Sequence, residues 1–299
     1  MFKKQDKLIL MTAGLLVSIL LIIFFIFNKG DKNKFFLNPK GFGKELSPTP
    51  IKTLESVVST TPTATPTAKP ISFEEMNKNF GPCGRVSVLM YHHIQEMETA
   101  KKRGQTNLTV SPEYFRKQMQ YLKDKNYNVI GMNDLKNFLD NGVNLPAKAV
   151  LLTMDDGYKD NYEKMYPILK EFGYRATVFV ATGLINNFDY LSWSDMENMK
   201  DLVYFGNHTW SHHNSSGTEE KQNEEIGTAD KQLNEHGFNN LKIFAYPYGS
   251  PSGIAQEVLK NDGYKIAFTT NHGSILCKGK SLELPRVRIG DALLSNFGL

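Results

Sequence analysis

Leu151-Leu152-Thr153-Met154-Asp155-Asp156-Gly157-Tyr158 is the stretch that decides the fold. The apolar run from Ala149 to Met154 has the length and composition of a short buried strand. It stops at two adjacent carboxylates and a glycine, and an amphipathic helix is expected from near Tyr158. Successive strand residues face opposite sides, so Asp155 and Asp156 suit two different jobs. One can hold a cation while the other reaches a water beside it. Asp-Gly is also common turn punctuation and Asp a good helix cap, so this stretch alone fits a turn equally well.

His208-Thr209-Trp210-Ser211-His212 tips the balance. Two imidazoles four apart follow a strand-like segment, Leu202 to Phe205, and a glycine. Two His and one carboxylate, with a position left open for water, form a usual catalytic zinc set. A lone His is more often a satisfied polar residue, but this pair together with a strand-end Asp-Asp points to a metal site.

The chain has 299 residues of ordinary apolar and charged content, so most of it is expected to be globular. The first stretch is the exception. Leu8 to Phe27 holds 20 uncharged residues, and a helix of that length spans about 30 Å of hydrocarbon. No Ala-x-Ala-like cleavage site follows Phe27, which favours an uncleaved single-pass anchor in the cell membrane over a signal peptide. Lys3, Lys4 and Lys7 before the span balance Lys29, Lys32 and Lys34 after it, so charge does not set the orientation. The extracytoplasmic placement of the C-terminal part rests on the linker and the chemistry. Those six Lys against Asp6 and Asp31 give residues 1–34 a net +4, the same as the whole chain. Residues 35–299 therefore balance to zero, which argues against a nucleic-acid partner.

Ser47 to Pro70 holds five prolines and ten Ser/Thr among 24 residues, a composition that buries no core and reads as an extended tether. The expected organisation is a membrane anchor over 1–30, a disordered Pro/Thr-rich linker over 31–80 and a catalytic domain over 81–299. Cys83 and Cys277 are the only cysteines. They can form one disulfide outside the cell or remain two thiols, and they are too few for a cysteine metal site.

From about Gly81 strands and helices alternate. Arg85–Tyr91 reads as a strand ending in His92-His93, and Ser111-Pro112-Glu113 as a capped helix start. Further strands are expected at 129–130, 149–154, 176–180, 202–205, 243–246 and 265–269. Helices are expected over 132–139, from near 158 to 172, and over 194–200, 218–236 and 254–260. Such alternation predicts an α/β fold, a distorted (β/α) barrel of about seven parallel strands. His92, Asp155, Asp156, His208 and Tyr248 all fall at predicted strand ends, where barrels of this kind carry their reactive groups.

With those residues set out, the region 83–290 resembles the polysaccharide deacetylases of the NodB-homology group, carbohydrate esterase family four. The family's Thr-Phe-Asp-Asp-Gly appears as Thr153-Met154-Asp155-Asp156-Gly157, and its His-(Ser/Thr)-x-x-His as His208-Thr209-Trp210-Ser211-His212. The resemblance implies that Asp155 is the general base and that Asp156, His208 and His212 bind a divalent metal. Zinc is the expected ion, with cobalt or nickel accepted at sites of this type. The family's Arg-x-Pro-Tyr appears as Ala245-Tyr246-Pro247-Tyr248, without the arginine that orients the catalytic aspartate; Arg286 or Arg288 is a candidate replacement. The late Leu-x-Leu-His motif is also missing, His272 being the only late histidine. Val88-Leu89-Met90-Tyr91-His92 looks like that motif displaced by circular permutation, similar to the biofilm poly-β-1,6-N-acetylglucosamine deacetylase branch. On that likeness His92 is the general acid and His93 its nearest rival.

The resemblance implies removal of N-acetyl groups from an N-acetylglucosamine-containing polysaccharide. The oxyanion is expected against the backbone N–H of Tyr248, in the Pro247-Tyr248 turn. Trp193, Trp210 and Tyr246 are candidate sugar-stacking rings; Trp193 is the preferred groove residue and Trp210 the preferred packing residue. Two other functions compete: an O-acetyl esterase with the same site, and a membrane-tethered glycan-binding protein whose site is dead for want of the arginine.

Overall fold

The computed structural model describes residues 71–299. The apolar stretch Leu8–Phe27 and the Pro-rich tether lie outside the described residues, and among the described residues no helix is long and apolar enough to cross a membrane. The strands are β1 (Cys83–Tyr91), β2 (His93–Ile94), β3 (Thr109–Val110), β4 (Asn128–Val129), β5 (Ala149–Met154), β6 (Ala176–Val180), β7 (Val203–Asn207), β8 (Ile243–Ala245), β9 (Ile266–His272), β10 (Ile275–Cys277) and β11 (Leu284–Arg288). β1, β5, β6, β7, β8, β9 and β11 pair in that order, every pair parallel, and β11 returns to β1. The result is a closed seven-stranded barrel, with β4 flanking β5 and β10 lying antiparallel to the start of β1.

Period two sorts the side chains. Val88, Leu151, Phe179, Ile243, Ala245, Ile266, Phe268 and Leu284 come from six strands and form one buried cluster, the barrel interior. Leu89, Val150, Leu152, Met154, Val178 and Val180 face outward into a second cluster beneath the helices. Strands buried on both faces read as continuous apolar runs, which is why 149–154 shows no alternation.

The helices are α1 (Phe73–Phe80), α2 (Met97–Arg103), α3 (Pro112–Asp124), α4 (Met132–Asn141), α5 (Tyr166–Phe172), α6 (Trp193–Met199), α7 (Glu219–Glu235) and α8 (Gly253–Asn261). The Ser111 hydroxyl accepts from the Tyr114 N–H, as its cap position demands, and Pro112 opens α3. The linker is expected to run to residue 80, yet Phe73–Phe80 is helical, capped by Ser72. Nor does a helix start at Tyr158. That residue bridges to Tyr190, and a π-helical turn over Asn161–Met165 precedes α5. Cys83 and Cys277 sit directly opposite in the β1–β10 ladder and are joined as a disulfide.

Candidate metal centre

β5 delivers the two carboxylates to opposite fates. Thr153 and Asp155 continue the inward series of Leu151, so the Asp155 carboxylate enters the barrel mouth, where it is 3% exposed. Asp156 leaves the strand in the left-handed region, φ 73°, which swings its carboxylate back over the same mouth. Gly157 follows at φ 76°, and a Cβ there would lie 2.8 Å from Val180 Cγ1, so only glycine fits the turn.

β7 ends beside β5, separated by β6 alone, and brings His208 and His212 to Asp156. Asp156 Oδ1 lies 3.3 Å from His208 Nε2 and 3.1 Å from His212 Nε2. One ligating atom from each residue can be chosen so that all three lie within 4.8 Å of one another. The tautomer of His208 is fixed by its other nitrogen: Nδ1 lies 2.7 Å from the Ala245 carbonyl oxygen, which can only accept. The proton therefore sits on Nδ1, and Nε2 faces a carboxylate oxygen with a lone pair unless a second proton or a cation intervenes. A buried imidazole fixed through one nitrogen, a second imidazole and a carboxylate are a donor set that fits a divalent transition metal. Without one, burial would lower the His208 pKa, but the Asp156 carboxylate and the charge of Asp155 outweigh it and raise it. Burial likewise opposes the charge on Asp156, yet the two imidazoles hold it well below the carboxylate range.

Arg286 fills the arginine vacancy of the third motif. Its Nη1 and Nη2 donate to Asp155 Oδ1 and Oδ2 at 2.7 and 2.6 Å, a bidentate pair buried in the barrel. Nε donates to the Thr269 carbonyl at 2.9 Å, locking the fork's direction. Arg288, the other candidate, does not reach Asp155: it is exposed at the end of β11. Its charge, like that of Arg286, acts on His92.

His92 lies one residue past β1, within the field of Asp155 and Asp156. Burial pulls its pKa down, and the two arginines assist against the two carboxylates. His93 is turned away. Its Nδ1 pairs with Asp160 Oδ2 at 2.6 Å and its ring stacks on Tyr158 at 3.5 Å between centroids. Tyr248, also left-handed at φ 61°, sets its exposed ring 4.8 Å from that of His212, and Pro247 is buried beneath the turn.

Trp193 is not brought to the site. Its indole stacks on His236, 3.9 Å between centroids, just past the end of α7, and on Phe238 beyond it. Stacking on the segment that follows α7 covers part of the apolar indole and accounts for its place away from the site. Tyr246 is also core, its hydroxyl donating to the Leu282 carbonyl. Trp210, expected to pack, is instead 37% exposed in the His208–His212 loop. Two contributors carried no sequence signal: Glu225, which clamps Ser211, and Tyr158, whose hydroxyl pKa is raised by burial and by the charge of Asp156.

A closed parallel barrel with carboxylates and imidazoles gathered at its strand ends makes the protein a (β/α) barrel with a candidate metal site at its mouth. Residues 142–267 match the family described as polysaccharide deacetylase. Among solved structures, the chain is similar to the Streptococcus pyogenes deacetylase PplD in complex with acetate: 30% identical, TM-score 0.64, covering 69% of this chain and 93% of that one. A putative polysaccharide deacetylase of Bacillus subtilis, YxkH, is 28% identical over 220 residues, 72% of this chain and 75% of its own. A Staphylococcus aureus poly-β-1,6-N-acetyl-D-glucosamine N-deacetylase is 26% identical over 201 residues, 62% and 69% of the two chains. The chain belongs to the polysaccharide deacetylase family.

Proposed function

We propose that this deacetylase hydrolyses N-acetyl groups of an N-acetylglucosamine-containing polysaccharide, poly-β-1,6-N-acetylglucosamine or a cell-wall glycan, with a divalent metal, zinc by preference, on Asp156, His208 and His212. The observation that carries this reading is the convergence of that donor set with a separate carboxylate held by Arg286. It also removes the only support for a dead glycan-binding site, since the orienting guanidinium is present.

A metal held by Asp156, His208 and His212 would polarise the acetyl carbonyl and lower the pKa of water toward neutrality. Asp155 takes the proton of the attacking water, its plane and ionised state fixed by Arg286. The backbone N–H of Tyr248, in a turn of fixed conformation, faces the oxyanion that develops. His92 hands a proton to the departing nitrogen, so the amine leaves neutral. Burial lowers the His92 pKa, and the proton it passes to the nitrogen is balanced by the one Asp155 takes from the attacking water.

Placement outside the cytoplasm, tethered to a membrane, belongs to the same proposal. Its supports are the apolar stretch Leu8–Phe27 and the Cys83–Cys277 disulfide, a bond that persists in oxidising compartments.

The test is acetate release from N-acetylglucosamine oligomers, peptidoglycan and acetylated xylan, with and without a chelator. Chelator-sensitive release from the N-acetylated polymers is expected. Release from xylan alone would make the protein an O-acetyl esterase. Asp155→Asn is expected to keep its metal and lose turnover, whereas His208→Ala loses both. Full metal occupancy in His208→Ala would refute the ligand assignment.

A further inference from the structure

The loop that carries His212 adopts backbone its own residues disfavour: Thr209 and His212, neither of them glycine, sit at φ 66° and 61°. Left-handed backbone costs an L-residue about 1–2 kcal/mol, so something outside the loop must hold it. α7 lies against this loop and presents Gln222 and Glu225, three residues apart and therefore on one face. Gln222 Nε2 donates to the Ser216 carbonyl at 2.7 Å and to that of Asn214 at 3.2 Å.

Glu225 is fully buried, with both carboxylate oxygens committed. Oε2 accepts from the Ser211 N–H at 2.8 Å and Oε1 from the Ser211 hydroxyl at 2.7 Å. Lys221 Nζ lies 3.0 Å from Oε1 and balances the charge. The Glu225 main-chain carbonyl accepts from the Trp210 N–H at 2.9 Å. One residue thus fixes the two positions immediately before His212, through three hydrogen bonds, without touching a ligand.

We infer that Glu225 is a positioning residue: its carboxylate holds Ser211 so that His212 Nε2 meets Asp156 and His208 at the distance a divalent cation requires. The inference rests on the metal reading above. Partners beyond the ligands tune affinity because each imidazole must arrive already aimed; their loss typically costs about 10–100-fold.

The experiment titrates the metal-stripped full-length chain with Co2+, reading affinity and the visible absorption of the bound ion. Glu225→Ala leaves the Ser211 N–H and hydroxyl unpaired and is expected to weaken Co2+ binding about tenfold or more and to alter the spectrum. Glu225→Gln keeps an acceptor for the N–H and gains a donor for the hydroxyl, so it is expected to restore both readouts. A role confined to stability would lower the melting temperature of Glu225→Ala and leave the affinity and spectrum of the folded fraction unchanged. That result overturns the inference. Should Glu225→Ala fail to fold, Ser211→Ala deletes only the hydroxyl bond; weaker Co2+ binding supports the inference and parental binding overturns it. A parent chain that takes up no Co2+ refutes the metal reading and the inference with it, and is distinguished by failing before any substitution is made.

Discussion

At Asp155 burial favours the neutral acid and the Arg286 guanidinium favours the anion. Burial is the larger single influence, but the charge and two hydrogen bonds of Arg286, helped by His208 and His92, hold the carboxyl below its ordinary range. Removing the guanidinium leaves burial unopposed, so the pKa must rise. Arg286→Gln should therefore move the acidic limb of the pH profile of kcat/KM to higher pH, because the base is protonated sooner. It should also cost roughly 3–5 kcal/mol in a urea titration, the penalty for stranding one partner of a buried pair. An unmoved acidic limb in the folded variant would remove Asp155 from the base role. Arg286 was legible only as one of two candidates. Arg286 and Arg288 are two apart and face the same way along a strand; what separates them is depth, since 286 lies inside the barrel and 288 at its rim. Glu225 was illegible for another reason: α7 also carries Glu219, Glu220, Glu224 and Glu235, and nothing in the order of residues marks the buried one.

Element boundaries followed local chemistry closely where that chemistry was strong. The capped start of α3, the glycine ends of α4 and α5, and the apolar runs of β5 and β6 needed no tertiary information. β2, β3, β10 and β11 lie outside the strands expected from the sequence. β10 is three residues long, and β11, Leu-Pro-Arg-Val-Arg, carries a proline and two charges that argue against a strand. Its charges are tolerated because Arg286 enters the barrel to meet Asp155 and Arg288 reaches solvent. Two predictions belong here. Gly157→Ala should destabilise by more than about 1 kcal/mol, since φ 76° and the Val180 contact both resist a Cβ, and it should weaken metal binding by displacing Asp156. Replacing Cys83 and Cys277 with serine should cost roughly 2–4 kcal/mol in a denaturant titration. Acetate release below the new transition should not change, because the bond lies at the opposite end of β1 from His92.

The described domain, residues 71–299, is built on a closed ring whose working edge draws on both of its ends. The proposed anchor adds a prediction at this scale: the full-length protein should sediment with membranes and be released by detergent but not by high salt, since salt screens the flanking lysines and leaves apolar burial intact. Release by salt alone would replace the span with a surface attachment. The closure itself bears on biogenesis. β1 lies between β5 and β11, so His92, Asp155 and Arg286 share one mouth although 194 positions separate the first from the last. A nascent chain emerging from its N-terminus has both aspartates and both ligand histidines long before residue 286 is made. Until then Asp155 lacks its guanidinium partner and β1, already paired with β5 on one side, has its other side open. On the proposed mechanism, hydrolytic competence needs β11 in place, so a chain ending before residue 284 is expected to release no acetate.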